Sequence, residues 1–147
     1  MNNIQISKMT LDDFNKIKDV LISDFDDFWN VNTLEEELIN ENSYYLVAKI
    51  ENQIVGFAGI KSVLDEADIM NIVTKKDKRN LGIGSALLEK LLNDAKAKEI
   101  KKITLEVNES NISAIHLYKN FGFKEISIRE NYYNKTDNAL IMQLSLI

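Results

Sequence analysis

Ile4 and Ile6 alternate with polar neighbours near the start of the chain, the period-two pattern of a strand covered on one face. The period then lengthens. Thr10-Leu11-Asp12-Asp13 reads as an N-cap followed by acids in a first helical turn, and Phe14, Ile17, Val20 and Leu21 follow at helical spacing. Phe25 to Asn32 is aromatic and acidic, fits neither period, and is expected to be a loop. Thr33-Leu34-Glu35-Glu36 opens a second helix with capping-box spacing, and Leu34, Leu38 and Ile39 supply its apolar stripe.

From Ser43 the pattern is that of strands. Tyr45 to Ile50 and Ile54 to Ile60 flank a polar turn, Glu51-Asn52-Gln53, and predict a hairpin. Ala67 to Val73 predicts a further strand, and the polar, basic loop Thr74 to Asn80 follows it. Ser85 to Lys98 predicts a long helix that buries Leu87, Leu88, Leu91, Leu92 and Ala95. Ile103 to Val107 is a strand, Ser110 to Phe121 a helix closed by Gly122, and Phe123 to Ile128 and Ala139 to Leu146 are two final strands. The order is β-α-α-β-β-β-α-β-α-β-β, a mixed α/β domain built on a central sheet. The 147 residues are expected to form one domain, 1–147.

Composition narrows the chemistry. The chain has no cysteine, which excludes disulfides, thiolate nucleophiles and cysteine-based zinc sites. It has one histidine, His116, so no His-rich metal site is expected. Its net charge of −5 argues against nucleic-acid binding, which needs a basic face. The N-terminal residues lack a signal-peptide pattern, and no apolar run approaches the roughly 20 residues that span a bilayer. A cytoplasmic protein with no membrane partner is the expectation.

One segment runs against the acidic balance. Arg79-Asn80-Leu81-Gly82-Ile83-Gly84-Ser85 joins a strand to the long helix, beside Lys75, Lys76 and Lys78. Glycines allow a tight turn and close approach of a ligand to the backbone. The N–H groups of the helix's first turn, aided by the macrodipole, then form a phosphate site. A G-x-G pair alone fits an ordinary loop equally well. The segment lacks the G-x-x-x-x-G-K-[ST] of a nucleotide-hydrolysing loop and the third glycine of a dinucleotide fingerprint.

This loop resembles the acetyl-CoA pyrophosphate loop of the GNAT acetyltransferase superfamily, Q/R-x-x-G-x-G/A. A collinear series extends the resemblance over nearly the whole chain: Val63-Leu64-Asp65-Glu66-Ala67, Asn71-Ile72, Leu105-Glu106-Val107, Asn111, Ala114-Ile115, Leu117-Tyr118, Phe121-Gly122-Phe123 and Arg129-Glu130-Asn131-Tyr132-Tyr133. That series resembles the RimI type, the ribosomal-protein-alanine N-acetyltransferases, and Phe28-Trp29 stands where that type carries an aromatic pair. Asn80 and Lys75-Lys76 depart from the usual Arg and Asp-Pro of the loop, and His116 from a frequent Ala.

The resemblance implies the GNAT fold, a central mixed, mostly antiparallel twisted sheet flanked by helices, with acetyl-CoA as cosubstrate and no metal. It implies main-chain cofactor contacts from Ile72, Val73 and Thr74, where two strands splay apart and a backbone N–H serves the oxyanion, and further contacts from Arg79, Asn80, Leu81, Gly82, Ile83, Gly84 and Ser85, and from Asn111. Asn111 also reads as the cap of its helix. Glu106 is implied as general base and Tyr118 as general acid, the amine attacking the thioester directly. From the residues alone, Glu106 fits a solvated face of an edge strand, and Tyr118 fits core packing. Glu66, Tyr132 and Tyr133 are implied at the acceptor side, the tyrosines on a loop over the peptide. The acidic groups Asp24/Asp26/Asp27 and Glu35/Glu36/Glu37 fit either a basic peptide tail or a solvated surface. His116 lies two residues from Tyr118, faces elsewhere, and is expected to be structural or on the surface.

The implied acceptor is the N-terminal α-amine, alanine first, of a small-subunit ribosomal protein. At pH 7.4 an α-amine of pKa ~7.8 is roughly 30% neutral, against about 0.1% for a lysine of pKa ~10.4. A small-molecule amine acceptor and a non-catalytic acyl-CoA-binding module are the alternatives.

Overall fold

A sheet covered on both faces explains why Tyr45 to Ile50 and Ile54 to Ile60 are apolar almost without interruption. The computed structural model describes the backbone of residues 3–26, 31–133 and 137–147 and the side chains of 3–26, 33–130 and 137–147. Its strands are β1 (Gln5–Lys8), β2 (Ser43–Ile50), β3 (Gln53–Val63), β4 (Glu66–Thr74), β5 (Lys102–Asn108), β6 (Lys124–Tyr133) and β7 (Asp137–Ser145). They form one sheet in the order β1-β2-β3-β4-β5-β7-β6, antiparallel except for the β4–β5 pair. The helices are α1 (Leu11–Ile17), α2 (Leu21–Asp24), α3 (Val31–Ile39), α4 (Ile83–Ala97) and α5 (Ile112–Asn120). Among the described residues no helix is long and apolar enough to cross a membrane.

Strand alternation sends side chains into two cores. Leu46 and Ala48 of β2 pack with Leu87, Leu88 and Leu91 of α4 and Ile115 of α5. Tyr45 and Val47 point the other way, toward Phe14, Leu21, Phe25 and Leu34. The hairpin turn between β2 and β3 places Glu51 and Asn52 at φ 50° and 66°, the backbone of a two-residue turn matched to strand twist.

Thr10 caps α1 as its sequence predicts. Asp13 N–H donates to Thr10 Oγ1 (3.1 Å) and Thr10 N–H to Asp13 Oδ2 (2.9 Å), a closed capping box. Asp13 is buried, which by itself would raise its pKa, but the Thr10 amide and the Lys49 ammonium 3.0 Å away pull it below the usual range.

Four expectations change at the front of the chain. The first helical stretch is two helices, because Val20 N–H turns back to Ile17 carbonyl (2.9 Å) and leaves Val20 facing outward. Thr33 lies within α3, which starts at Val31. Ile39 is 69% exposed and not part of the buried stripe; the inner position goes to Glu37, whose carboxylate accepts from Ser43 Oγ and from Lys61 Nζ. Phe25 is fully buried and bridges to Lys75 instead of lying in a loop. Phe28 and Trp29 fall outside the described residues.

The β4–β5 pair positions the site. Two parallel strands need a crossover, and α4 supplies it. The pairing covers only Glu66↔Lys102, Ala67↔Ile103 and Asp68↔Thr104, although β4 continues to Thr74 and β5 to Asn108. The register of β4 against β3 passes from Ile60↔Ile69 to Gly59↔Asn71, so Met70 is an extra residue, a bulge that bends β4. The strands diverge from that point. Gly59 is required beside the bulge: a Cβ there would lie 2.4 Å from the Tyr45 ring, whose hydroxyl accepts from Asn71 Nδ2 (2.9 Å).

Two tyrosines on β2 are expected to titrate late. Burial, with the Asp94 carboxylate accepting from its hydroxyl (2.6 Å), pushes Tyr44 up to about 12. Burial and the charge of Glu37 push Tyr45 up to about 12, against the opposing hydrogen bond from Asn71. Both folded values exceed the unfolded one, so their contribution to stability is present below pH ~10 and is lost as pH rises toward 12. Alkaline spectrophotometric titration of the native protein should show Tyr44 and Tyr45 ionising late, and both returning to about 10 after unfolding. Ionisation of both near 10 in the native protein would contradict these environments.

Candidate active site

The divergence of β4 from β5 opens toward α4 and α5 into a cleft of about 1000 Å³. Its walls come from the end of β4 (Ile72, Thr74), the turn after it (Lys76, Lys78, Arg79, Asn80), the start of α4 (Gly82, Ile83, Gly84, Ser85) and one face of α5 (Asn111, Ala114, Tyr118).

Backbone conformation explains the loop sequence. Gly82 has φ +80°, where a side chain is strained, although a Cβ there would meet nothing within 4 Å. Asn80 has φ +65°, a conformation asparagine tolerates better than most residues. Ala86 N–H donates to the Gly82 carbonyl (3.0 Å), and the N–H groups of Ile83, Gly84 and Ser85 have no carbonyl one turn back to reach. These donors, the helix dipole and the cations of Lys76, Lys78 and Arg79 make this end of the cleft suited to phosphate.

Gly84 carries a separate signal. It is within the helix, and a Cβ there would make only an ordinary 3.6 Å contact with Leu117 Cδ2. Packing does not demand glycine, and glycine in a helix costs about 0.5–1 kcal/mol relative to alanine. The absence of a Cβ leaves the backbone there open to close approach by a ligand.

Nine of the eleven residues expected at the cofactor line the cleft: Ile72, Thr74, Arg79, Asn80, Gly82, Ile83, Gly84, Ser85 and Asn111. Val73 turns its side chain into the α1–α3 core, which leaves the expectation of a main-chain contact untouched, and Leu81 faces outward. Asn111 serves in both expected ways: its Oδ1 accepts from Ala114 N–H (3.2 Å) at the cap of α5, and the residue lines the cleft. Tyr118 lines the cleft with its ring against Phe123, centroids 5.8 Å apart. His116 is exposed and off the cleft wall.

Glu106 is placed differently. Its strand is not an edge strand, for β5 lies between β4 and β7. Leu105 and Val107 face α4 and α5, and alternation turns Glu106 to the opposite face of the sheet. There its Oε1 meets Arg129 Nη1 of β6 at 3.1 Å, across the intervening β7. The gap between β4 and β5 thus has Tyr118 on one face and Glu106 on the other.

Other expected residues are not gathered here. Glu66 lies at the far end of β4 from Thr74, roughly 25 Å along an extended strand, on the paired side of the divergence. Tyr132 and Tyr133 end β6, and their side chains are outside the described residues, as is Asp27. Glu37 is buried and paired, so it is unavailable to a peptide tail. Asp26 is in the cleft wall, where its carboxylate accepts from Arg79 Nε (2.8 Å) and Nη2. No local sequence signal marks Asp26; it reaches the cleft because its N–H donates to the Thr74 carbonyl (3.0 Å). On α5, Asn111 and Tyr118 were named by the family resemblance, and Ala114, one turn after Asn111, completes that wall. Among the described residues no cluster of His, Cys, Asp or Glu could hold a metal ion.

Comparison with known proteins agrees with this geometry. A model of the acetyltransferase (GNAT) family matches residues 13–123. The ribosomal protein bS18-alanine N-acetyltransferase of Haemophilus influenzae is 42% identical over 120 residues, 78% of this chain and 80% of that protein. The crystal structure of the ribosomal-protein-S18-alanine N-acetyltransferase from Escherichia coli superposes with a TM-score of 0.89 at 30% identity, covering 98% of this chain and 94% of the other. The Ard1 structure from Thermoplasma volcanium, 22% identical with a TM-score of 0.84 and covering 98% of each chain, shares the fold. The chain belongs to the GNAT acetyltransferase family. It is an acetyl-CoA-dependent N-acetyltransferase, and within the family it resembles the ribosomal-protein-alanine N-acetyltransferases.

The two loop glycines should respond in opposite ways. Gly84→Ala is expected to leave stability unchanged or raise it by up to about 1 kcal/mol, while weakening binding of CoA. Gly82→Ala forces alanine into a left-handed conformation and should cost roughly 1–2 kcal/mol. Thermal melts and calorimetric titration with CoA check both. Unaltered CoA affinity in Gly84→Ala would remove the argument from close approach.

Proposed function

We propose that this protein transfers the acetyl group of acetyl-CoA to the N-terminal α-amine, alanine first, of a ribosomal protein. The observation that carries the reading is the gap between β4 and β5, with a phosphate-suited cleft on one face and Glu106 on the other. Such a gap lets a thioester be presented from the helical side and an amine from the opposite side. The names of the relatives from H. influenzae and E. coli support a ribosomal-protein alanine as the acceptor.

In this reading Glu106 accepts the amine's proton, directly or through a water, as nitrogen attacks the thioester carbon. A backbone N–H that β4 turns toward the gap donates to the developing oxyanion. The C–S bond breaks as the C–N bond forms, and Tyr118 Oη donates its proton to the departing thiolate, which has an ordinary pKa of ~8.5 against ~10 for tyrosine. With no cysteine in the chain, a cysteinyl acyl-enzyme has no place in this scheme.

The test is release of free CoA from acetyl-CoA with an Ala-initiated ribosomal N-terminal peptide, its pre-acetylated form and a panel of small amines as acceptors. Release is expected with the free peptide alone. Glu106→Gln should lower kcat by roughly 10²–10⁴-fold with CoA binding retained, and Tyr118→Phe should lower kcat in the same way. Full activity in both variants would sink the assigned roles. Turnover of small amines with no turnover of the peptide would replace the acceptor, and CoA binding without any turnover would point to an acyl-CoA-binding module.

A further inference from the structure

Arg79 is the arginine of the phosphate loop, yet its guanidinium is already engaged. Asp26 accepts from Arg79 Nε (2.8 Å) and Nη2, and both residues line the cleft. Asp26 comes from far along the chain, just after α2, and its carboxylate is held in place by the backbone. Its N–H donates to the Thr74 carbonyl (3.0 Å), and Phe25 before it is fully buried and bridged to Lys75. A fixed carboxylate therefore occupies the arginine that a diphosphate would use.

Exposure decides how firmly it does so. The Arg79 side chain is 58% exposed and that of Asp26 31%, so the pair is solvated and exchangeable, unlike a buried ion pair. An arginine fork binds phosphate oxygens in the same bidentate manner as a carboxylate, which makes the two anions alternatives for one donor set. A diphosphate that gained Arg79 would also lie beside the carboxylate it displaced.

We propose that Asp26 is an internal competitor for the cofactor's diphosphate, holding Arg79 when no diphosphate contends for it and so setting the affinity for acetyl-CoA and CoA. The proposal rests on the reading of the cleft as the acetyl-CoA site. By weakening both ligands through the same arginine, Asp26 keeps the product CoA from remaining bound as tightly as the loop alone would hold it. A purely structural role predicts the opposite sign: if the pair only fastened the chain after α2 to the phosphate loop, removing it would loosen the cleft and weaken binding.

The experiment is calorimetric titration of CoA and acetyl-CoA into wild type, Asp26→Asn, Asp26→Ala, Arg79→Ala and the double variant Asp26→Asn/Arg79→Ala, with thermal melts to verify folding. Both Asp26 variants are expected to bind roughly two- to fivefold more tightly than wild type, the span an exposed ion pair is worth. Arg79→Ala should bind more weakly, and adding Asp26→Asn to it should recover little, because the competition runs through that arginine. Unchanged or weaker binding in the folded Asp26 variants would overturn the proposal and leave the cofactor reading standing. An equal gain with and without Arg79 would also overturn it, reducing Asp26 to a general repulsive charge. Absence of CoA binding in wild type would instead bring down the cofactor reading, and this inference with it.

Discussion

Three pairs of parallel backbone partners hold β4 to β5, and beyond them the strands separate. Backbone N–H and C=O groups in the interior of a sheet normally satisfy one another, and those facing the gap have no such partner strand. The extra residue at Met70 bends β4, and it also sets which way the last residues of the strand face. Asn71 bonds to Tyr45 in the α1–α3 core, while Ile72 turns toward the cleft under α4 and α5. The gap is therefore an opening with different chemistry on each side. The cleft residues of β4, Ile72 and Thr74, take their position from that divergence.

The charges are arranged locally and not globally. A protein of net charge −5 gathers Lys76, Lys78 and Arg79 on the wall where α4 begins. Within a Debye length of about 8 Å at physiological salt, such a group dominates over the acidic remainder of the surface. Asp26 tempers it from within the same wall. Arg129 does a comparable thing on the other face, standing against Glu106. In both places an arginine and a carboxylate from distant parts of the sequence meet beside the gap.

Where the determinants are short-range, the sequence was legible. The Thr10-Asp13 capping box, the turn at Glu51-Asn52, the glycine at φ +80° before α4 and the leucine stripe of that helix all depend on residues within a turn or two. Nine of the positions that the family resemblance implied line one cleft, since one loop and one helix face carry most of them. The expected cap at Thr33 is a local miss, since α3 already begins at Val31, and the other departures have a different cause. Ile39 is displaced from the core by Glu37, whose partners Ser43 and Lys61 lie on other elements. Asp26 looked like surface acid until the backbone of β4 captured it. Glu66 stands at the paired end of β4, away from the cleft, because of the direction in which that strand runs. Strand order was not encoded locally at all: nothing in Lys124 to Ser145 announces that β7 inserts between β5 and β6.

That insertion bears on how the molecule comes into being. A ribosome makes the cleft-forming elements β4, α4, β5 and α5 first, then β6, and β7 after them all. Until β7 emerges, β6 has no neighbour in the sheet and β5 has one flank bare, so Glu106 and Arg129 belong to strands with nothing between them to fix their spacing. A nascent chain halted before Asp137 would hold the components of the cofactor side and lack the frame for the opposite face. The order of synthesis thus makes the sheet face that carries the Glu106–Arg129 pair the last to be assembled.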